Sequence, residues 1–215
     1  MKIDLAEHFL SLQGESTHAG RRCYFLRLAG CNLRCRYCDT RYAWERSAGT
    51  PCETEELTAL VLASGCPLVE VTGGEPLIQE GTPELCRRLL DAGLEVLLET
   101  NGSLPLDDIP SEVRKIVDCK LPGSGMADRN CIANYARLLP HDEVKFVTGS
   151  REDFDFAMEV IRRCRLAEKT QNLLFSPVWG RLAPEELARW VIDSGAPVRM
   201  QLQMHKVLWG SKPGV

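Results

Sequence analysis

The stretch Cys23-Tyr24-Phe25-Leu26-Arg27-Leu28-Ala29-Gly30-Cys31-Asn32-Leu33-Arg34-Cys35-Arg36-Tyr37-Cys38 runs from an apolar segment into a loop with three cysteines at spacings of four and three. Cys23–Leu28 reads as a strand that delivers the chain to that loop. Three thiolates can hold three corners of a 4Fe–4S cube, each ligating in its deprotonated form. The motif has no fourth cysteine, which leaves one iron open to a ligand that is not protein. Zinc is the competing reading of Cys-x-x-Cys. A structural zinc site closes with four ligands in paired clusters, and no second Cys-x-x-Cys or His-x-x-x-His follows in the chain.

From residue 23 onward, short apolar runs alternate with helical patterns. Strands are expected at Leu68–Thr72, Leu94–Thr100, Ile116–Lys120, Glu143–Thr148 and Leu173–Val178, with a final extended run over Pro197–Met204. Helices are expected at Thr54–Ser64, with Thr54 as N-cap, and at Pro83–Ala92, capped by Thr82. Further helices fall near Ile132–Leu139, Glu152–Arg165 and Pro184–Ser194. Strands separated by helices pair in parallel through crossovers. The expectation is an α/β fold of about six parallel strands forming an open, partial β/α barrel, as one domain over residues 1–215. An open doubly wound sheet has the same local pattern. In both, ligands bind at the carboxyl ends of the strands. Cys31–Cys38, Thr72–Pro76, Glu99–Gly102, Asp118–Lys120 and Ser176–Val178 all fall there.

The 215 residues are 44% hydrophobic and 26% charged, which is ordinary for a globular protein. A formal charge of −4 argues against nucleic acid as a partner, because tracking phosphates needs clustered Lys and Arg. No apolar run is long enough to span a membrane and no signal-peptide core opens the chain, so a cytoplasmic protein is expected. Ten cysteines in a reducing compartment are thiols or metal ligands. The seven outside the triplet read as buried or incidental thiols.

The triplet, with Asp39-Thr40 after it and Thr72-Gly73-Gly74-Glu75-Pro76 at a later strand end, resembles the radical S-adenosylmethionine superfamily, whose core is a partial barrel. The resemblance implies that Cys31, Cys35 and Cys38 hold a 4Fe–4S cluster. S-adenosylmethionine would chelate the open iron and be cleaved by one-electron reduction to methionine and a 5′-deoxyadenosyl radical. Gly74 would meet the methionine amine and Tyr37 the adenine, while Cys38, Asp39 and Asn101 would complete the cofactor contacts. Glu99–Gly102 and Asp118–Lys120 are further polar candidates; a turn and a surface charge pair are their alternatives.

The flanks narrow the resemblance. Phe9-Leu10-Ser11-Leu12-Gln13-Gly14-Glu15-Ser16, Phe25–Asn32 and Gln201-Leu202-Gln203-Met204-His205-Lys206 are similar to the 7-carboxy-7-deazaguanine synthases, lyases of queuosine biosynthesis. That family contracts 6-carboxy-5,6,7,8-tetrahydropterin to 7-carboxy-7-deazaguanine with loss of ammonia. By this resemblance Leu12, Gln13, Gly14 and Glu15 line the pterin, with Glu15 also catalytic. Arg27 clamps the substrate carboxylate, Thr72 adds a hydroxyl and His205 closes the far side. Thr40 gives Mg2+ an oxygen, an electron donor such as flavodoxin or ferredoxin supplies the electron, and the protein is a homodimer. On the residues alone, the alternatives are that Arg27 is a structural ion pair, that Gln13 and Glu15 cap nearby backbone, and that His205 is a packed or surface histidine. Two positions depart from the family pattern: Ser16 stands where relatives have Gly, and Asn101 where they have Ser. The chain terminus of relatives reaches the substrate, which draws attention to Lys212-Pro213-Gly214-Val215. The alternative function is a glycyl-radical enzyme activase acting on a protein partner. An iron–sulfur electron carrier and a zinc-binding module are the non-enzymatic readings.

Overall fold

The computed structural model describes every residue except Ser211, Pro213 and Val215. One nine-stranded sheet organises it, formed by β1 (Lys2–Leu12), β2 (Arg22–Leu28), β3 (Thr50–Glu53), β4 (Leu68–Gly73), β5 (Glu95–Thr100), β6 (Arg114–Asp118), β7 (Glu143–Thr148), β8 (Leu173–Pro177) and β9 (Arg199–Met200). The order across the sheet is β3-β1-β2-β4-β5-β6-β7-β8-β9. From β2 to β9 every neighbouring pair is parallel, which makes seven parallel strands rather than six. β1 pairs antiparallel with β2 and β3 with β1. The sheet stays open, with β3 and β9 at its edges. Helices α1 (Thr54–Ala63), α2 (Thr82–Asp91), α3 (Ala133–Ala136), α4 (Arg151–Arg163), α5 (Pro184–Ser194) and α6 (Met204–Trp209) complete the chain.

Several local expectations are corrected. Glu53, not Thr54, caps α1: it forms a reciprocal capping box with Glu56, leaving Thr54 as the first helical residue. Gly81 precedes α2, because the Thr82 hydroxyl donates to the Pro76 carbonyl instead of capping. The Ile132–Leu139 helix shrinks to the single turn of α3. Only Arg199–Met200 of the final extended run pairs as strand, and the chain then turns into α6.

The two faces of the sheet bury different chemistry. Successive strand residues point to opposite faces. On the outer face Leu26, Leu28, Val69, Val71, Val96 and Leu98 pack with α1 and α2. Val117, Val144, Phe146, Leu173 and Phe175 do the same with α4 and α5. The inner face is layered: Cys23, Phe25, Leu68, Leu97 and Ile116 form an apolar floor. Two residues further along the strands come Arg27, Glu70, Glu99 and Asp118, and beyond Glu70 comes Thr72.

β1 joins this scheme through a bulge. Its register against β2 shifts between Leu5 and Glu7, so Ile3 and Leu5 belong to the outer core while Glu7 and Phe9 face inward. Phe9 stacks on Phe25 at 5.0 Å, and Glu7 stands opposite Arg27. A bulge re-aims side chains in this way by adding one residue to one strand. The loop after β1 crosses the amino ends of the parallel strands, where Thr17 bonds Glu143 and His18 bonds Glu95 at 2.8 Å. Among the described residues all ten cysteines are free thiols, and no helix is long and apolar enough to cross a membrane.

Gln79 stitches the start of β1 to the end of β2. Its Oε1 accepts from Asp4 N at 2.7 Å, and its Nε2 donates to Asp4 O at 3.0 Å and Ala29 O at 2.9 Å. Gln79→Ala leaves Asp4 N and Ala29 O without this partner, which should cost about 2–4 kcal/mol, while Asp4 O keeps Ala29 N at 2.8 Å. Thermal unfolding should show a midpoint lowered by roughly 5–15 °C; an unchanged midpoint would refute the stitch.

Candidate functional site

A cavity of about 470 Å³ opens at the carboxyl ends of the strands and reaches down the inner face. Its lining includes Cys31, Cys35 and Cys38 from the loop after β2 together with Tyr37, Asp39 and Thr40. Gly74, Asn101, Arg27 and Thr72 join them from the strand ends, Leu12–Glu15 from the loop after β1, and His205 from α6. Every residue given a site role from the sequence therefore borders one space, and of the further polar candidates only Gly102 and Cys119 do not. Glu70, Lys145, Gln203 and Lys206 also line it, and these the sequence reading did not single out. Pro213 and Val215 of the tail lie outside the described residues.

The cysteine loop is braced by its neighbours. Cys31 Sγ accepts from Leu33 N at 3.4 Å and from Asn101 Nδ2 at 3.8 Å. Burial pushes the Cys31 and Cys35 thiols up; as cluster ligands they would be thiolates. Among the described residues no three His, Cys, Asp or Glu side chains converge on one metal ion. Three thiolates that each take a different iron of a cube need not converge, whereas a tetrahedral zinc site must. The donor set fits the cluster.

Glu75 sits behind this loop, fully buried. Its carboxylate accepts from Leu77 N at 3.0 Å, Thr100 Oγ1 at 2.8 Å and Asn101 N at 2.6 Å. Burial raises its pKa to about 6 against the pull of these donors. Glu75 thus ties the turn after β4 to the turn after β5 and aims the Asn101 amide at Cys31. Asp39, next to Cys38, receives Lys206 Nζ at 2.9 Å and the Thr40 hydroxyl at 2.9 Å. Burial opposes its ionisation, but Lys206, Thr40 and the Arg27 charge bring its pKa down to about 2. Tyr37 donates to Val147 O at 3.0 Å, which fixes its ring beside the loop.

The lower half of the cavity is an ionic network. Lys145, its side chain 5% exposed, pairs with Glu99 and with Glu15 Oε2 at 3.0 Å. Glu15 Oε1 accepts from Gln203 Nε2 at 2.8 Å. Gln13 donates to Glu70 and accepts from Glu15 N at 2.9 Å, so both ends of its amide are engaged within the protein. Burial, reinforced by the Glu99 charge, pushes Glu70 well above the usual carboxylate range. For Glu99 burial acts the same way, yet the Lys145 ammonium outweighs it and lowers the pKa. Burial lowers the pKa of His205. Its ring packs against Gly14, where a Cβ would overlap Nδ1, and Gly14 O accepts from Met204 N at 2.9 Å. Gly14 thus lets α6 close on the loop.

Arg27 does form an ion pair, Nε to Glu7 Oε1 at 2.7 Å, and Tyr42 OH shares that oxygen at 2.6 Å. Among the described residues nothing accepts from its terminal Nη1 and Nη2, which remain available to the cavity.

Comparison with known proteins places this geometry. The model of the radical SAM superfamily matches residues 26–127. The 7-carboxy-7-deazaguanine synthase of Chlorobaculum tepidum is 45% identical over 96% of this chain and 94% of its own length. That of Koribacter versatilis is 41% identical over 96% and 97%, and that of Clostridium acetobutylicum 38% identical over the whole of both. The chain belongs to the 7-carboxy-7-deazaguanine synthase family. Its members are radical S-adenosylmethionine enzymes and lyases, so a 4Fe–4S cluster and S-adenosylmethionine are its cofactors. Among solved structures, QueE from Escherichia coli shares the fold with a TM-score of 0.77 at 23% identity, over 95% of each chain. SuiB from Streptococcus suis, bound to its precursor peptide, gives 0.59 at 11% identity, over 80% of this chain and 46% of its own.

In this synthase Gly74 has a packing role that the sequence alone did not disclose. A Cβ there would lie 2.7 Å from Gly30 C and 2.9 Å from Ala43 O, and nearer still to the Gly30 carbonyl oxygen. Gly74→Ala should therefore displace the peptide that leads into Cys31. Iron incorporation and melting temperature should fall together, and a variant normal in both would show that the close approach is not needed.

Proposed function

We propose that the cavity binds 6-carboxy-5,6,7,8-tetrahydropterin below the cluster and directs its conversion to 7-carboxy-7-deazaguanine. The observation that carries this reading is that one cavity joins the cysteine loop to the Gln13–Glu15, Arg27 and His205 flanks. Cys31, Cys35 and Cys38 hold the cluster, and Tyr37, Asp39, Gly74 and Asn101 border S-adenosylmethionine. Bound there, these groups supply one-electron reduction and hydrogen-atom abstraction, chemistry that belongs to them rather than to the chain. An external one-electron carrier such as flavodoxin or ferredoxin provides the electron.

The chain's own part is positioning and exclusion of water. Arg27 presents its two terminal nitrogens to the substrate carboxylate as a planar fork, with Glu7 and Tyr42 holding the guanidinium in plane. Glu15, set by Lys145 and Gln203, accepts from the amino edge of the pyrimidinone ring. Thr72 adds a hydroxyl, while Leu12, Gly14 and His205 wall the heterocycle off from solvent. Thr40 would offer Mg2+ one oxygen, as suits a hard cation that takes few protein ligands.

The deciding experiment is anaerobic incubation of reconstituted protein, about four irons per chain, with dithionite, S-adenosylmethionine and the carboxytetrahydropterin. A deazapurine absorbance should appear with release of ammonia. Cleavage of S-adenosylmethionine without deazapurine would refute the substrate and favour an activase.

Arg27→Ala should raise the substrate requirement roughly a hundredfold, from the loss of two charge-assisted bonds. Arg27→Lys should fall between, keeping the charge without the fork. Uncoupled cleavage of S-adenosylmethionine should survive in both. Glu7→Gln breaks only the ion pair, so it should lower the melting temperature modestly and leave substrate dependence nearly intact. If Glu7→Gln reproduces the Arg27→Ala kinetics, Arg27 is structural and not a clamp. For the metal, Thr40→Ala should blunt the response of turnover to added magnesium, and an unaltered response would remove Thr40 from that site.

A further inference from the structure

Lys145 is placed where no sequence motif points. It lies mid-strand in Val144-Lys145-Phe146, whose neighbours face the outer core, and its own side chain enters the cavity floor. A buried ammonium is costly unless carboxylates surround it. Here it has Glu99 and Glu15, and among the described residues no other Lys or Arg pairs with either. Two carboxylates share this one cation, so the pair keeps one negative charge in excess; Glu70 beneath, 2% exposed, is bonded to Gln13 and its carboxyl also meets that of Glu99. The excess has a location. Glu15 Oε2 is buried and 3.0 Å from Lys145 Nζ, yet no donor in the protein is aligned with it as a hydrogen-bond partner.

We propose that Lys145 is a positioning residue that keeps Glu15 and Glu99 together as acceptors, and thereby makes the cavity select heterocycles with two adjacent N–H donors. The proposal rests on the reading of Glu15 given above. The reasoning is chemical. A carboxylate matches the ring N–H and exocyclic amino group of a 2-amino-4-oxo pyrimidine edge, two donors for two acceptor oxygens. A 2-oxo edge offers an acceptor where the carboxylate also accepts, and is rejected because a buried polar atom is left unpaired. Without the ammonium, two carboxylates side by side in a water-poor cavity cannot both stay ionised. One takes up a proton, becomes an O–H donor, and can then receive the 2-oxo edge as well.

The test is equilibrium binding of 6-carboxypterin and 6-carboxylumazine, followed by their fluorescence, to anaerobic reconstituted protein with S-adenosylmethionine and no reductant. The parent should favour the 2-amino compound by roughly ten- to a hundredfold. Lys145→Met should bring the two affinities together while iron content stays at the parental level. Lys145→Gln, which also removes the ammonium but keeps a polar group in the cavity, provides a folded variant should Lys145→Met unfold, and it should show the same lost preference. A preference that survives in either folded variant overturns the role of Lys145, even where the melting temperature has dropped. A parent that binds neither compound would overturn the substrate reading along with it.

Discussion

Burying the Lys145 ammonium inside a parallel sheet costs several kcal/mol unless it is met by opposite charge, and most of the cavity's form follows from how that is done. Glu99 comes from β5, two strands away. Glu15 comes from the loop after β1 and reaches Lys145 only because that loop enters the inner face from below. Gln203 then holds the other oxygen of Glu15, which brings the chain's last helix against Gly14 and places His205. One buried cation thus fixes the relative positions of three segments far apart in sequence. The apolar floor of Phe25, Leu68, Leu97 and Ile116 lies beneath it, and against that low-dielectric surface each hydrogen bond is strengthened.

The upper half obeys a different constraint. The cysteine loop has little regular structure, and neighbouring backbone holds it: Gly30 N donates to Ala43 O and Cys31 N to Trp44 O, both at 2.8 Å. Glu75 and Gln79 lock the turns behind it, and Gly74 allows those turns to touch. Lys206 on Asp39 joins the upper half to α6, the helix that also closes the lower half. The loop after β1 and the cysteine loop are therefore clamped by one short helix.

Much of this was legible in the sequence. The alternation of apolar runs and helical patterns gave the parallel sheet, and the cysteine triplet with Thr72-Gly73-Gly74 marked residues that the fold gathers around one cavity. β1 was missed because its bulge flips parity midway: Ile3 and Leu5 face one way, Glu7 and Phe9 the other, so neither a strict alternation nor a continuous apolar run results. Lys145 and Glu70 were passed over inside strands that otherwise read as apolar. A charged residue centred in a buried parallel strand was itself a signal, since such a residue is rarely buried without a partner. What the sequence could not supply was the partner. That Arg27 uses Nε for Glu7 and keeps its terminal pair toward the cavity, or that Gln13 spends its amide on Glu70 and Glu15, depends on register and on a single bulge.

The central claim is an orientation: carboxylate toward Arg27, amino-pyrimidine edge toward Glu15, with the cluster loop above. It is tested most directly by a crystal structure of the reconstituted protein with S-adenosylmethionine and 6-carboxypterin. The account predicts the ligand carboxylate within hydrogen-bond distance of the terminal nitrogens of Arg27, and the 2-amino group within hydrogen-bond distance of Glu15. A ligand turned end for end, with its carboxylate on Lys145 and its amino edge toward Arg27, would contradict it.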